Sequence, residues 1–451
     1  MVFFLSRAKN KNQLFCGNVA KNKILKEGIG KRMTIISNIT DELNNPGLSS
    51  TRLSELCTQL QDSVDSRYAV KDEVELIESL SYHSIYKGVD LRINNDVLKT
   101  IDCYFRRNVH DYDGIIQALI SSLQPLLLKG KSNSELQEQQ NLGLKPVLGM
   151  SLKEDQLKEA WIRQDGLKSI PLFYVILLHI KRKDVSTNLS WIIPGILNIL
   201  DDTTDLRKIK LRGVFLLQTA LDHTFMHEIN DSKWIQFSST GLFPLFEKTL
   251  INMCYFLPPS YDANETLAIW QLVFPTINSL YKVEFFNEKN KYQYHLEKFM
   301  SEILLQNIIP RASLNYENLT LYALETTATV LKMQKEESVV HLQRLIYVLG
   351  EYIVRNPFYT TFPKLVSKAL SVVDILLTVC PHERIEAHKF DILSLILITY
   401  DKCSQENALN ESIELQCKGT MRGLLHYNYG MEDELSTLSN QPRFRLLFES
   451  L

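Results

Sequence analysis

Trp191-Ile-Ile-Pro-Gly-Ile-Leu-Asn-Ile-Leu-Asp-Asp202 is the stretch from which the fold class is read. Pro194–Leu200 reads as an apolar helix with proline in its first turn, where the missing N–H is an orphan donor in any case. Asp201-Asp202 then marks a turn, and Thr203, Thr204 and Asp205 follow. Asp and Thr side chains at such a turn cap the next helix N-terminus and favour its dipole. Arg207, Lys208, Lys210 and Arg212 lie just beyond, within reach of the Asp side chains.

Working outward, a bulky apolar residue followed by proline recurs at Ile170-Pro171, Ile193-Pro194, Phe243-Pro244, Phe274-Pro275, Ile309-Pro310 and Phe362-Pro363. An interior proline costs a helix about 3 kcal/mol, so these prolines are expected to mark helix starts. Ser151-Leu-Lys-Glu154 reads as a capping box for a helix over 152–163, with Leu157, Ala160 and Trp161 on one face. Asp165-Gly166 is its expected C-cap. An apolar helix over 167–180 follows, then a charged break at 181–184. Asp113-Gly114 resembles a hairpin turn but leads into Ile115, Ile116, Leu119, Ile120 and Leu123, which is helix spacing. Alternating runs bounded by turn pairs are scarce. The expectation is an all-α chain of antiparallel helix hairpins, each burying its apolar stripe against its neighbours.

The N-terminal third is patchier, with amphipathic helices expected over 43–60 and 70–86, separated by the polar stretch 61–67. Four segments follow: a basic extension over 1–32, an N-terminal helical region over 40–128, a polar loop or insertion over 129–149, and the main array over 150–448. The extension carries eight Lys and Arg against Glu27. It reads as a disordered tail, as sequence upstream of a start at Met33, or as a basic arm for a nucleic acid or import receptor. A polar stretch over 401–411 is expected to link two late helices.

Composition narrows the function classes. Of 451 residues, 45% are hydrophobic and 23% charged, which fits a folded chain rather than a disordered one. The net charge of -2 gives no support for a broadly basic nucleic-acid surface. Seven scattered cysteines, none in a Cys-x-x-Cys pair, argue against a disulfide scaffold and fit a reducing compartment. The longest apolar run, Ile170 to Leu178, is well short of the ~20 residues of a membrane-spanning helix.

Catalytic signatures are weak. His223 and His227 share a helix face, yet Thr224 stands where a metalloprotease helix needs Glu. No phosphate-binding glycine loop and no Gly-x-Ser-x-Gly elbow occurs. Cys380-Pro-His382 is adjacency in sequence, not nucleophile–base geometry. No catalytic, cofactor or metal residue is therefore assigned. Trp191, Trp234 and Trp270 are either interface anchors or packing between helical layers. The terminal Pro442-Arg-Phe-Arg445-Leu-Leu-Phe448 either docks on a partner or closes the last repeat.

Trp191–Asp202 followed by Lys210-Leu-Arg-Gly213 resembles a HEAT-type repeat and, more narrowly, the Tti-two family. That family is the small subunit of the Tel-two/Tti-one/Tti-two (TTT) cochaperone complex. Ser239-Thr-Gly-Leu242, leading into a helix that reaches Tyr255-Phe-Leu-Pro-Pro259, is similar to the same family. The likeness is best over about 150–285, and the 419 residues left without 1–32 fit a fungal-sized member, which favours a start at Met33. It implies an irregular HEAT-like solenoid and a non-catalytic scaffold without cofactors. Implied partners are a Tti-one-like large HEAT subunit and a Tel-two-like subunit. Indirectly, the Hsp90 system and phosphatidylinositol-3-kinase-related kinases are implied too, in cytoplasm and nucleus, with links to TOR signalling, telomere maintenance and the DNA-damage response. In fungi the subunits are linked to a chromatin-associated assembly. No membrane or direct nucleic-acid partner is implied. Trp191, Pro194, Asp201, Asp202, Lys210, Gly213, Gly241 and Pro258 are the expected structural determinants, Gly213 by admitting close helix approach. A different HEAT-type adaptor, in transport or membrane traffic, is the competing reading, ahead of a metal-dependent enzyme.

Overall fold

A computed structural model describes residues 37–45, 47–62, 69–86, 91–108, 110–128, 159–163, 165–202, 205–226, 235–426 and 430–448. The expected segments 1–32 and 129–149 and the capping box at Ser151 lie outside these. Among the described residues the only β pairing is an isolated bridge between Ile85 and Ile93; everything else regular is helical. Contacts divide the chain into two compact units, Met1–Thr224 and Phe225–Leu451. Within each, antiparallel helix pairs stack in the manner of an irregular HEAT-like solenoid. Helices flanking 129–149 belong to the same unit.

The first unit contains α1 (Ser50–Asp62), α2 (Val70–Ser81), α3 (Asn95–Arg107), α4 (Tyr112–Leu128), α5 (Ser169–His179), α6 (Arg182–Leu200) and α7 (Leu211–Thr219). Every residue of α5 from Ser169 to Leu177 is buried, because α2, α4 and α7 all pack on it. A helix apolar all round must be enclosed in this way. Its large side chains each contribute about 1.5–3 kcal/mol of burial. Polar ties fix the seams. Buried Glu73 of α2 accepts from Arg107 Nη2 at 2.7 Å and Asn108 Nδ2 at 2.6 Å, beyond the end of α3. At the end of α5, His179 Nε2 lies 2.8 Å from Asp102 of α3, while the Tyr112 hydroxyl donates to the His179 carbonyl at 2.5 Å. The His179 contact holds the Asp102 carboxyl below its usual range, against the opposing effect of burial.

The second unit contains α8 (Leu242–Cys254), α9 (Ala263–Glu284), α10 (Lys289–Lys298), α11 (Glu317–Gln334), α12 (Leu342–Leu349), α13 (Pro363–Val379), α14 (Lys389–Gln405) and α15 (Glu411–Leu425). The pairs α8–α9, α11–α13, α13–α15 and α14–α15 pack against one another. In α9, Thr266, Ile269, Trp270, Val273, Ile277, Leu280 and Tyr281 form one buried stripe at helical spacing. Trp270 is fully buried and its Nε1 donates to the Cys254 carbonyl at 3.1 Å, so this indole is interior packing. Trp234 lies outside the described residues. In the terminal segment Phe444 and Leu447 are buried, and the short helix Arg445–Phe448 packs on α15. That segment thus packs on its own chain.

Several sequence expectations need correction. Pro171, Pro244 and Pro363 do sit in first turns, but Pro194 and Pro275 lie inside α6 and α9. Pro310 follows directly on a π-helical stretch, Phe299–Ile308, so it does not open an independent helix. Buried Ile192, Ile193, Ile196 and Ile199 on both sides of exposed Pro194 offset the lost hydrogen bond. The charged break at 181–184 shrinks to Ile180-Lys181, and Arg182 to Asp184 form the first turn of α6, where Asp184 complements the dipole. Residues 43–60 are not one helix: the helix over 37–43 ends at buried Leu43 and α1 begins at Ser50. Helix α2 ends at Ser81, short of Tyr86. Residues 401–405 belong to α14, leaving a shorter link. At the expected C-cap, Asp165 rather than Gly166 has left-handed backbone, with φ 61°. Gly166 serves a different purpose: a Cβ there would lie 2.3 Å from the Trp161 indole.

Candidate functional site

The 191–213 motif is a helix–turn–helix joint. The Trp191 indole rests against Phe173, with ring centroids 5.3 Å apart, and its Nε1 donates to Asn188 Oδ1 at 2.7 Å. Exposed Asp201 ends α6, its N–H donating to the Leu197 carbonyl at 2.8 Å. Asp202 is buried and its Oδ1 accepts from the Asp205 N–H at 2.9 Å. Asp205 in turn accepts from the Lys208 N–H at 2.8 Å and caps the π-helical turn Leu206–Lys210. Two carboxylates three residues apart therefore relay the chain from one helix to the next, and Lys210 closes that turn with its N–H on the Asp205 carbonyl at 3.1 Å. Capping falls to Asp202 and Asp205 rather than to the adjacent pair Asp201-Asp202.

Gly213 lies where α7 crosses the end of α6. A Cβ on it would stand 2.5 Å from the Leu200 nitrogen, 2.6 Å from its Cα and 2.8 Å from the Ile199 carbonyl carbon. Two backbones meet here, and no rotamer change could make room.

The second motif, Ser239–Leu242, is a turn of a different kind. Gly241 has φ 73° and open space around its Cα, so it is needed for backbone conformation rather than for packing. The turn is held from 46 residues away. Glu284, the last residue of α9 and 1% exposed, accepts from Phe237 N at 2.6 Å, from Ser238 N at 3.1 Å and from the Ser238 hydroxyl. Pro258 is half-buried in the link from α8 to α9, beside buried Leu257.

Glu247 of α8 accepts from Tyr281 Oη at 2.9 Å and contacts His295 Nδ1 at 3.0 Å. Burial raises its carboxyl, but the His295 and Tyr281 bonds outweigh that and hold it below the usual range. The His295 ring stacks on Phe285 with centroids 4.6 Å apart. Sequence reading passed over Glu284 and Glu247. The one available signal was Glu284, a charge in phase with the buried stripe Ile277, Leu280 and Tyr281.

Among the described residues no three His, Cys, Asp or Glu side chains converge as a metal site; His223 is exposed and His227 lies outside the described residues. Burial pushes the thiols of Cys254, Cys380, Cys403 and Cys417 up, Cys403 to about 11 and Cys417 to about 12, which disfavours the nucleophilic thiolate. Among the described residues, no helix is long and apolar enough to cross a membrane.

His341 shows the consequence of burial most clearly. It is 3% exposed, its Nε2 has no hydrogen-bond partner among the described residues, and burial drops its imidazole from 6.5 to about 4. The unfolded chain therefore takes up a proton below pH 6.5 that the folded chain refuses until about pH 4. Stability is full above 6.5 and falls as pH drops toward 4, by a total of about 3 kcal/mol from this group. Melting temperatures measured across that window should decline in the wild type and decline less in His341→Leu. Equal slopes would contradict the assignment.

A family model described as the Tti2 family matches residues 76–361. TEL2-interacting protein 2 of Saccharomyces cerevisiae (strain ATCC 204508 / S288c) is 74% identical over 419 residues, covering 92% of this chain and 100% of that protein. The chain belongs to the Tti2 family. No solved structure matches it. As a Tti2-family member it is a non-enzymatic, all-α scaffold of the TTT cochaperone complex. The matched span includes both motifs described above, so the Asp202–Asp205 relay, Gly213 and the Glu284-held turn all lie in the part of the chain that the Tti2 family shares.

Proposed function

We propose that this chain works as the small subunit of its complex, holding a Tti-one-like large HEAT subunit together with a Tel-two-like subunit. Through them it supports the Hsp90-dependent maturation and stability of phosphatidylinositol-3-kinase-related kinases, in cytoplasm and nucleus. The observation that carries this reading is the end-to-end match to a relative whose name records interaction with TEL2. The helix-pair architecture supports it physically, since stacked pairs offer extended ridges to protein partners.

Co-purification from a fungal lysate under gentle conditions tests the reading. Tel-two-like and Tti-one-like proteins are expected in stoichiometric amounts, over a stable interface burying at least about 1,000 Å². Recovery of the folded chain without either partner would overturn the partner assignment.

A further inference from the structure

In the second unit a groove of about 220 Å³ opens between α9 and α11, beside the end of α10. Phe274, Phe299 and Tyr322 line it, with Phe274 stacked against Tyr322 at 5.7 Å and edge-on to Phe299 at 5.5 Å. Pro275, inside α9, lines it too, so this stretch of wall offers a ring where a helix would otherwise carry an N–H. Along α11 the lining residues Tyr322, Glu325, Thr326, Thr329 and Met333 follow one face over three turns. Only one of the twelve lining residues, Glu325, is charged, in a chain with 23% charged residues. Glu325 is exposed, and its ion pair to Lys368, at 3.8 Å, is loose. Such a surface pair contributes little and is readily exchanged.

These features specify an occupant. A groove between two helices receives the ridge of a third, whose side chains return every three or four residues. The volume suits one large apolar side chain, and aromatic walls make that position a binding hot spot. The lone carboxylate on the α11 ridge calls for a base one turn from that anchor. We infer that this groove docks a helix of the large HEAT subunit that presents an apolar anchor with a lysine or arginine about one turn away. The inference rests on the scaffold reading above and gives it a location.

The test uses the full chain and the purified large subunit. Thr329→Trp fills the groove from an exposed position, and Glu325→Lys reverses its charge; both sites are exposed, so unchanged helical circular dichroism and melting are expected. Each variant should bind the large subunit at least roughly tenfold more weakly. Glu325→Gln should also flatten the salt dependence of binding, an effect that loss of packing would not produce. Affinities within twofold of wild type for both folded variants would overturn the groove assignment and leave the scaffold reading standing. Weakening by Thr329→Trp alone would overturn the basic-helix occupant. If the wild-type chain fails to bind the large subunit at all, the scaffold reading falls and the groove assignment with it.

Discussion

Gly213→Ala is expected to lower the unfolding free energy by about 3 kcal/mol. The added methyl would sit 2.5 Å from a backbone nitrogen, so α6 and α7 must separate for it to fit. Separation loosens Leu200, Leu211 and Val214, which are buried beside the crossing, and disturbs the turn capped by Asp202 and Asp205. A matched control isolates this steric effect from helix propensity. Gly419 of α15 has nothing within 4 Å of its would-be Cβ. Gly419→Ala should therefore be neutral or gain up to about 1 kcal/mol, since alanine is the better helix former. Urea denaturation of the two variants reads the difference; a Gly213→Ala protein as stable as wild type would show that the helices part at no cost.

The second large effect belongs to Glu284. Its carboxylate is the buried acceptor for two backbone N–H groups and one hydroxyl at the start of the Ser238–Thr240 turn. Glu284→Ala strands those donors away from water, and each buried unsatisfied donor costs about 1–3 kcal/mol. A total near 4 kcal/mol is expected, because bonds to a charged acceptor are the stronger kind. Glu284→Gln keeps one carbonyl oxygen and should cost about half as much. Amide exchange at Phe237 and Ser238 distinguishes this from general destabilisation: in Glu284→Ala these two amides should lose protection under conditions where the α13–α15 core keeps its own. Retained protection at both would remove Glu284 from this role.

The same two sites show how far local pattern reaches. Helical spacing over Pro194–Leu200 and the Gly-Leu step at 241–242 were readable because each depends on residues within a turn or two. That Gly213 lies at a backbone crossing was an expectation from its motif; the distances to Leu200 and Ile199 come from the fold. Pro194 and Pro275 were misplaced by local reasoning. Local reasoning applies the proline penalty without weighing the isoleucines, or the Trp270 and Ile277 packing, that compensate it. The π-helical turns at Leu206–Lys210 and Ala220–Thr224 left no local signal.

Apolar periodicity, sparse turn pairs and an ordered set of motifs sufficed by themselves to establish an all-α, repeat-like chain and its family likeness. Those properties are written in neighbouring residues, since a helix joins each amide to a carbonyl four positions away. Tertiary packing alone decided that Glu284 holds a turn 46 residues back, that His341 Nε2 has no hydrogen-bond partner among the described residues, and that a largely apolar groove with one carboxylate opens beside Pro275. Each depends on which distant helices meet, and burial there sets the cost of a charge, a methyl group or a missing hydrogen bond.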